Sequence, residues 1–138
     1  MGLLGKNVLS MVLKIWIIID MSNKNVLMDV NDVVEGECKT IRVPDGAYEK
    51  EVFIVLKDSQ FHAYENVCPH TGAPLDWMPD QFLNLDKTHI QCSTHHALFR
   101  IYDGFCVSGP CAGKVLKKIE VYVEGDKVVG EIYGNEIP

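Results

Sequence analysis

The sequence predicts an all-β domain of antiparallel strands with a small, loop-rich lobe at one end. Short apolar or alternating runs follow one another from residue 26 onward, and Gly, Pro, Asn or Asp residues separate them. No long stretch after residue 20 shows the period of an amphipathic helix. At 138 residues the chain is long enough for one core and too short for two. These observations predict a single domain over residues 26–138.

Four strands are predicted in the first half, over residues 26–30, 38–43, 52–56 and 61–64. Pro44, Asp45 and Gly46 form a turn signature after the second strand. The third is a continuous apolar run rich in β-branched residues, so a buried strand fits it better than a helix. The turn after it returns the chain through the fourth strand to Cys68.

The second half continues the same pattern. Ile90 and Gln91 lead into Cys92. Apolar and polar side chains alternate over residues 97–102 and again over residues 119–124, the period of a half-buried strand. Gly125 and Asp126 then predict a hairpin turn before a last strand over residues 127–133.

Cysteine and histidine residues are paired in two separate segments of residues 68–111, which we call the lobe. Cys68 and His70 flank Pro69. After 21 intervening residues, Cys92 and His95 flank Ser93 and Thr94. Thiolate and imidazole are soft and borderline metal ligands, and the surrounding Gly and Pro residues hold loops in tight paths. The spacing therefore predicts a metal site built from two loops.

The pattern Cys68-x-His70 followed by Cys92-x-x-His95 resembles the ligand motif of Rieske iron–sulfur proteins, and Gly109-Pro110 continues the resemblance. In that family two cysteines hold one iron of a 2Fe–2S cluster and two histidines hold the other. The resemblance implies a Rieske-like antiparallel β-sandwich with a small cluster-binding lobe. It also implies Cys68 and Cys92 as ligands of one iron, His70 and His95 as ligands of the second, and a proline-containing loop that covers the cluster.

The implied function is electron transfer without catalysis. Two ferric irons, two sulfides, two thiolates and two neutral imidazoles sum to zero charge, and one added electron leaves a single negative charge. A cluster held by four thiolates is more negative, so the two imidazoles raise the potential to between about −150 and +300 mV. The resemblance implies a ferredoxin-type carrier between two redox partner proteins, a reductase and an acceptor oxygenase or reductase.

Other functions remain open at this point. The four ligands also suit a structural Cys2His2 zinc module that serves in protein interactions. A small subunit of a multi-component reductase is another alternative, although the Rieske-like subunits of nitrite reductases typically lack the ligands. The catalytic subunit of an oxygenase needs a further site of two histidines and a carboxylate. Only 27 residues follow Cys111 and none is histidine, so we do not expect that site here.

Three departures from the family pattern affect the predicted site. His96 stands where glycine usually follows the second ligand histidine. Ala97 and Phe99 replace a serine and a tyrosine that donate hydrogen bonds to sulfur in respiratory members, and this favours a potential in the lower part of the Rieske range. Residues 80–87 form an extra loop, because the gap between the ligand pairs is longer than in short ferredoxin-type members.

Composition restricts partners and compartment. The net charge of −6 disfavours nucleic acid and suggests a cationic partner face, with ordinary solubility of an acidic surface as the alternative. Five cysteines are an odd number, and no small-residue cleavage site follows the first apolar run, so we expect reduced thiols and a cytoplasmic protein. Assigning Cys68 and Cys92 to metal leaves Cys38, Cys106 and Cys111 as thiols, with a disulfide between the last two as the alternative. The sequence does not specify the oligomeric state.

Residues 1–25 are interpreted as an apolar leader of uncertain role. The apolar run Val8–Ile19 has 12 residues and contains Lys14, whereas a membrane span needs about 20 apolar residues. Met21 offers a second start. A non-essential leader, a membrane-associating segment and a packed terminal element all remain open, and a membrane-spanning helix is not expected.

Overall fold

Residues 24–132, the part of the chain that the computed structural model describes, form nine β-strands and one short 3₁₀ helix, Val30–Asp32. The strands are β1 Lys24–Asp29, β2 Glu37–Asp45, β3 Tyr48–Lys57, β4 Gln60–Glu65, β5 His89–Gln91, β6 Leu98–Arg100, β7 Cys106–Ser108, β8 Lys118–Glu124 and β9 Lys127–Glu131. The predicted all-β class is confirmed.

The strands form two antiparallel sheets of unequal size. The large sheet has the order β1-β9-β8-β4-β3-β2, and the small sheet has the order β5-β6-β7. Consecutive strands β2, β3 and β4 pair as hairpins, as do β8 and β9. The whole segment between β4 and β8, residues 66–117, therefore forms one insertion that carries the small sheet. The predicted lobe lies within this insertion.

Strand β3 separates two hydrophobic cores. Val52, Phe53, Ile54 and Val55 are all fully buried, as the continuous apolar run predicted. Because successive side chains of a strand point to opposite faces, Val52 and Ile54 join one core, made by the large sheet. Phe53 and Val55 join the other, which also contains the four cysteines of the insertion. The same strand thus supports both the large sheet and the lobe.

Two contacts attach the lobe to the large sheet. The ring of Phe82 stacks on that of Phe53, with centroids 4.0 Å apart and an interplanar angle of 8°. The hydroxyl of Tyr64, at the end of β4, donates a hydrogen bond of 2.6 Å to the carbonyl of Ile101. The side chains of Phe53, Phe82 and Tyr64 are all buried. These contacts therefore fix the lobe against β3 and β4.

The extra loop predicted over residues 80–87 is held at both ends. The Asp80 carboxylate accepts a 2.7 Å hydrogen bond from the backbone N–H of Thr40, in the edge strand β2. Phe82 is fully buried, and Leu83 pairs with Ile90. Unpaired N–H groups on an edge strand can recruit another chain, and Asp80 occupies one of them. The loop therefore covers part of the exposed edge of the large sheet.

Two strand predictions differ from the structure. The strand predicted over residues 97–102 ends at Arg100, because the N–H of Gly104 donates to the Arg100 carbonyl and closes a turn there. Strand β7 was not predicted, since its three residues are too few to show alternation and its pairing with β6 is long-range.

Some sequence predictions lie outside the described residues. They include the apolar leader up to residue 23 and the end of the last strand at residue 133. Within residues 24–132 the structure contains no helix long and apolar enough to cross a membrane.

Candidate metal centre

The first ligand loop follows β4 and is closed by its own backbone. The N–H of Cys68 donates to the Ala73 carbonyl and the N–H of Gly72 donates to the Cys68 carbonyl, both at 2.8 Å. Cys68 is 2% exposed, whereas His70 is exposed. The tight loop therefore turns the cysteine into the core and the histidine toward the surface.

The second ligand loop follows β5 and has the same character. The N–H of Cys92 donates to the Ala97 carbonyl at 2.9 Å, and the N–H of His96 donates to the Cys92 carbonyl at 3.0 Å. Cys92 is 1% exposed and His95 is exposed. His96 has a φ of 58°, so the position where the family usually has glycine does need the left-handed conformation.

The structure brings the four predicted ligands together as two pairs. The thiols of Cys68 and Cys92 are hydrogen-bonded to each other in the interior. The rings of His70 and His95 contact each other edge to face, with centroids 5.1 Å apart. His96 instead bonds to Gln91 through its Nδ1 at 2.9 Å. Within residues 24–132 no group of three or more His, Cys, Asp or Glu side chains converges on one centre, so the described side chains form no single-ion site of three or more donors.

The predicted third loop contacts the second ligand loop directly. Gly109 has a φ of 101°, and a Cβ placed on it would lie 2.8 Å from the Cα of Ala97. Nearby, the sulfurs of Cys106 and Cys111 lie 3.3 Å apart as free, buried thiols. Burial, together with the hydrogen bond and charge of Cys106, raises the pKa of Cys111 to about 12. The Gly-Pro loop is therefore packed against the site, and Cys106 and Cys111 are present as thiols.

The Rieske [2Fe-2S] domain family matches residues 23–123, most of the chain. The chain belongs to this family.

Two curated relatives of this Rieske domain are ferredoxin components. It is 27% identical to that of the p-cumate 2,3-dioxygenase system of Pseudomonas putida, over 83% of this chain and 90% of the relative. It is 30% identical to that of the alkene monooxygenase system of Xanthobacter autotrophicus, over 72% of this chain and 74% of the relative. The match to the p-cumate system component therefore extends over most of both chains.

Solved structures share the fold. The ferredoxin of carbazole 1,9a-dioxygenase from Nocardioides aromaticivorans IC177 superimposes with a TM-score of 0.65 at 21% identity, over 80% of this chain and 99% of that one. The terminal oxygenase of carbazole 1,9a-dioxygenase from Novosphingobium sp. KA1 superimposes with a TM-score of 0.67 at 22% identity, over 84% of this chain. This Rieske domain spans only 31% of the oxygenase chain.

The residues present fit the Rieske cofactor. A 2Fe–2S cluster of this type needs two sulfur donors for one iron and two nitrogen donors for the other. The inner cysteine pair and the outer histidine pair supply that set in that division. When bound, the cluster stores and releases one electron. The predicted Rieske-type cofactor and electron-transfer role are confirmed by the family.

Thr71 is a site residue that the sequence reasoning missed. Burial raises the pKa of Cys68, but the backbone N–H groups of Thr71 and His70, the Thr71 hydroxyl and the Cys92 thiol donate to its sulfur and give a pKa below the ordinary value. The donors from Thr71 and His70 favour the thiolate, the form that binds iron; the Cys92 thiol is itself a predicted ligand and loses its proton when iron binds. The hydroxyl donors lost at Ala97 and Phe99 are therefore partly replaced by Thr71. Thr71 follows a predicted ligand directly, and this position was the only signal for it in the sequence.

Two clefts among residues 24–132 lie beside the ligands and do not enclose them. A cleft of about 510 Å³ lies between residues 32–39 and the extra loop, and none of the four predicted ligands lines it. A smaller one of about 200 Å³ borders Cys92, Ser93 and His96 and is walled by Trp77 and Leu85. The histidine pair itself is at the surface, which suits transfer of an electron to another protein.

Proposed function

We propose that this Rieske domain is the ferredoxin component of an oxygenase system, carrying one electron from a reductase to the oxygenase. The observation that carries the proposal is the exposed His70–His95 ring pair, carried by the same two loops as the buried Cys68 and Cys92. Electron tunnelling needs a short path, and a cluster whose outer iron is held by surface imidazoles offers one. The ferredoxin components of the p-cumate and alkene systems support this role. If a reductase is the acceptor in place of the oxygenase, turnover of the oxygenase in the assay below will not depend on this protein.

The ligand assignment is part of this proposal. Cys68 and Cys92 hold the inner iron, and His70 and His95 hold the outer one. The 5.1 Å separation of the His70 and His95 rings supports the choice of His95 over His96, whose ring bonds to Gln91.

The ligand assignment is tested by cofactor content and spectrum. The purified protein should contain about two irons and two sulfides per chain and show a Rieske visible and EPR spectrum. Cys68→Ser, Cys92→Ser, His70→Ala and His95→Ala should each abolish that spectrum, because metal binding and loop folding are coupled. His96→Gly, the matched control, should keep it. Zinc without iron or sulfide would identify a structural Cys2His2 module instead. Loss of the spectrum in His96→Gly but not in His95→Ala would refute the assignment.

The partner is tested by reconstitution. The reduced protein should pass electrons to a purified terminal oxygenase of the same source, and a nicotinamide-linked reductase should reduce it. Turnover of that oxygenase should stop when the His70→Ala variant replaces the native protein. Unchanged turnover without the native protein would contradict the proposal.

We also propose a cytoplasmic location and a division into a leader of residues 1–25 and one Rieske domain of residues 26–138. All five cysteines are free, which suits a reducing compartment. The continuity of the large sheet from β1 to β9 supports a single domain. Fractionation and limited proteolysis test these points, and cleavage between residues 68 and 111 of the native protein would contradict the division.

A further inference from the structure

Asn66 is the one fully buried polar side chain among residues 24–132, at 5% exposure. Its Oδ1 accepts a 2.7 Å hydrogen bond from the backbone N–H of Leu75. Its Nδ2 donates to the carboxylates of Glu51 and Asp76, each at 3.0 Å. Its own backbone N–H donates to the Glu51 carbonyl at 2.9 Å. The amide thus uses both of its donor hydrogens and its acceptor.

These bonds join Asn66 to both ligand loops. Leu75 and Asp76 end the first loop, five and six residues after His70. The carbonyl of Leu75 accepts a 2.9 Å hydrogen bond from the N–H of Ser93, the residue after Cys92. The path from Asn66 through Leu75 to Ser93 is a continuous chain of two hydrogen bonds. Since Glu51 lies in β3, the same side chain ties the two loops to the large sheet.

The chemistry of the amide is specific. An amide both donates and accepts, whereas an aspartate at this place could accept from Leu75 but could not donate to Glu51 or Asp76. It would instead add a third carboxylate beside the partly buried carboxylates of Glu51 and Asp76, and like charges repel one another. An alanine would leave the Leu75 N–H buried without a partner.

We propose that Asn66 is a positioning residue that sets the spacing of the two ligand loops, and through it the retention and reduction potential of the cluster. The inference rests on the proposed ligand assignment. The hydrogen bonds of Asn66 go to Glu51, Leu75 and Asp76, none of which is a predicted ligand. Asn66 therefore acts through Leu75 and Ser93, which fix where the two ligand pairs stand relative to each other.

The test uses the holoprotein and four variants. In Asn66→Ala we expect iron release to a chelator about tenfold faster than in the native protein. This corresponds to a loss of about 1.4 kcal/mol in the activation free energy of release. We also expect a changed potential and EPR g-values, and faster amide exchange in the peptides containing Leu75 and Ser93. Asn66→Asp should behave in the same way at neutral pH. Adding Asp76→Asn to the Asn66→Asp variant should restore much of the native behaviour. The amide donor then lies at position 76 and the carboxylate at position 66, so the hydrogen bond between the two positions forms again.

Val128→Ala is the matched control. Val128 is fully buried in the core that contains no ligand cysteine, so its truncation lowers global stability without touching the loops. It should keep the native potential and EPR spectrum. Native potential and iron release in Asn66→Ala would overturn the inference, and so would equal changes in Val128→Ala. If the native protein lacks a Rieske spectrum, the proposed function fails, while amide exchange still reports whether Asn66 joins the loops.

Discussion

Replacing Gly109 by alanine should damage both the stability and the metal site. Gly109 has a φ of 101°, a conformation that costs an L-residue about 1–2 kcal/mol. The new Cβ would lie 2.8 Å from the Cα and 3.0 Å from the Cβ of Ala97, well inside the usual contact distance of about 3.5–4.0 Å. Backbone atoms yield less than side chains, so overpacking adds about 1–3 kcal/mol. We expect a total loss of about 2–5 kcal/mol.

The glycine at position 113 provides the matched control. Gly113 also has a positive φ, 90°, but a Cβ there would meet no atom within 4 Å. Gly113→Ala therefore carries the backbone cost alone, and the difference between the two variants isolates the contact with Ala97. We expect Gly109→Ala to be the less stable by about 1–3 kcal/mol.

Urea unfolding of the two holoproteins, followed by tryptophan fluorescence, measures this difference. The visible spectrum adds a second readout, because the Ala97 carbonyl accepts the N–H of Cys92 and any shift of Ala97 moves that ligand loop. Only Gly109→Ala should alter the spectrum. Equal free energies of unfolding for the two variants would refute the reasoning.

Four further variants, one control variant and the midpoint potential of the native protein test single features of the structure. His96→Gly should leave the free energy of unfolding within about 1 kcal/mol of the native value. The substitution relieves a positive φ but removes an exposed hydrogen bond, so the two effects oppose each other. A larger loss of stability would contradict this. We expect a native midpoint between about −150 and 0 mV by voltammetry, and a midpoint well above +150 mV would exclude the low-potential prediction. Thr71→Val should lower this midpoint potential, because it removes a hydroxyl donor to the Cys68 sulfur. The control Thr71→Ser keeps a hydroxyl and should keep the midpoint. The double substitution Ala97→Ser and Phe99→Tyr should raise the midpoint potential if both new hydroxyls reach sulfur. Thr40→Val should raise the unfolding free energy by about 1 kcal/mol, because it removes a buried hydroxyl without a partner; a loss would show that the hydroxyl is satisfied.

Local patterns were sufficient to predict most strands. A strand is specified by its own alternation or by a short apolar run, and both signals lie within about six residues. Residues 52–56 and 119–124 are examples, and both lie within strands of the structure. Strand β7 and the early end of β6 depend on pairing between distant segments and on a turn at Gly104, so local patterns could not locate them.

In the metal site, too, some features are specified by local sequence and others depend on contacts between distant segments. The sequence by itself determined the types and order of the donors, since Cys68-x-His70 and Cys92-x-x-His95 are read within a few residues each. Only the tertiary structure decided that the cysteines lie inside and the histidines outside, and that Thr71 donates to sulfur.

Asn66 shows why the rest could not be read from the sequence. Its spacing before Cys68 is unremarkable, and its partners come from two segments of the chain, Glu51 in β3 and the adjacent pair Leu75 and Asp76. A hydrogen bond needs two groups within about 3 Å, and residues nine or more apart in sequence reach that distance only after the chain has folded. The sequence fixes which atoms are available, and packing determines which of them meet.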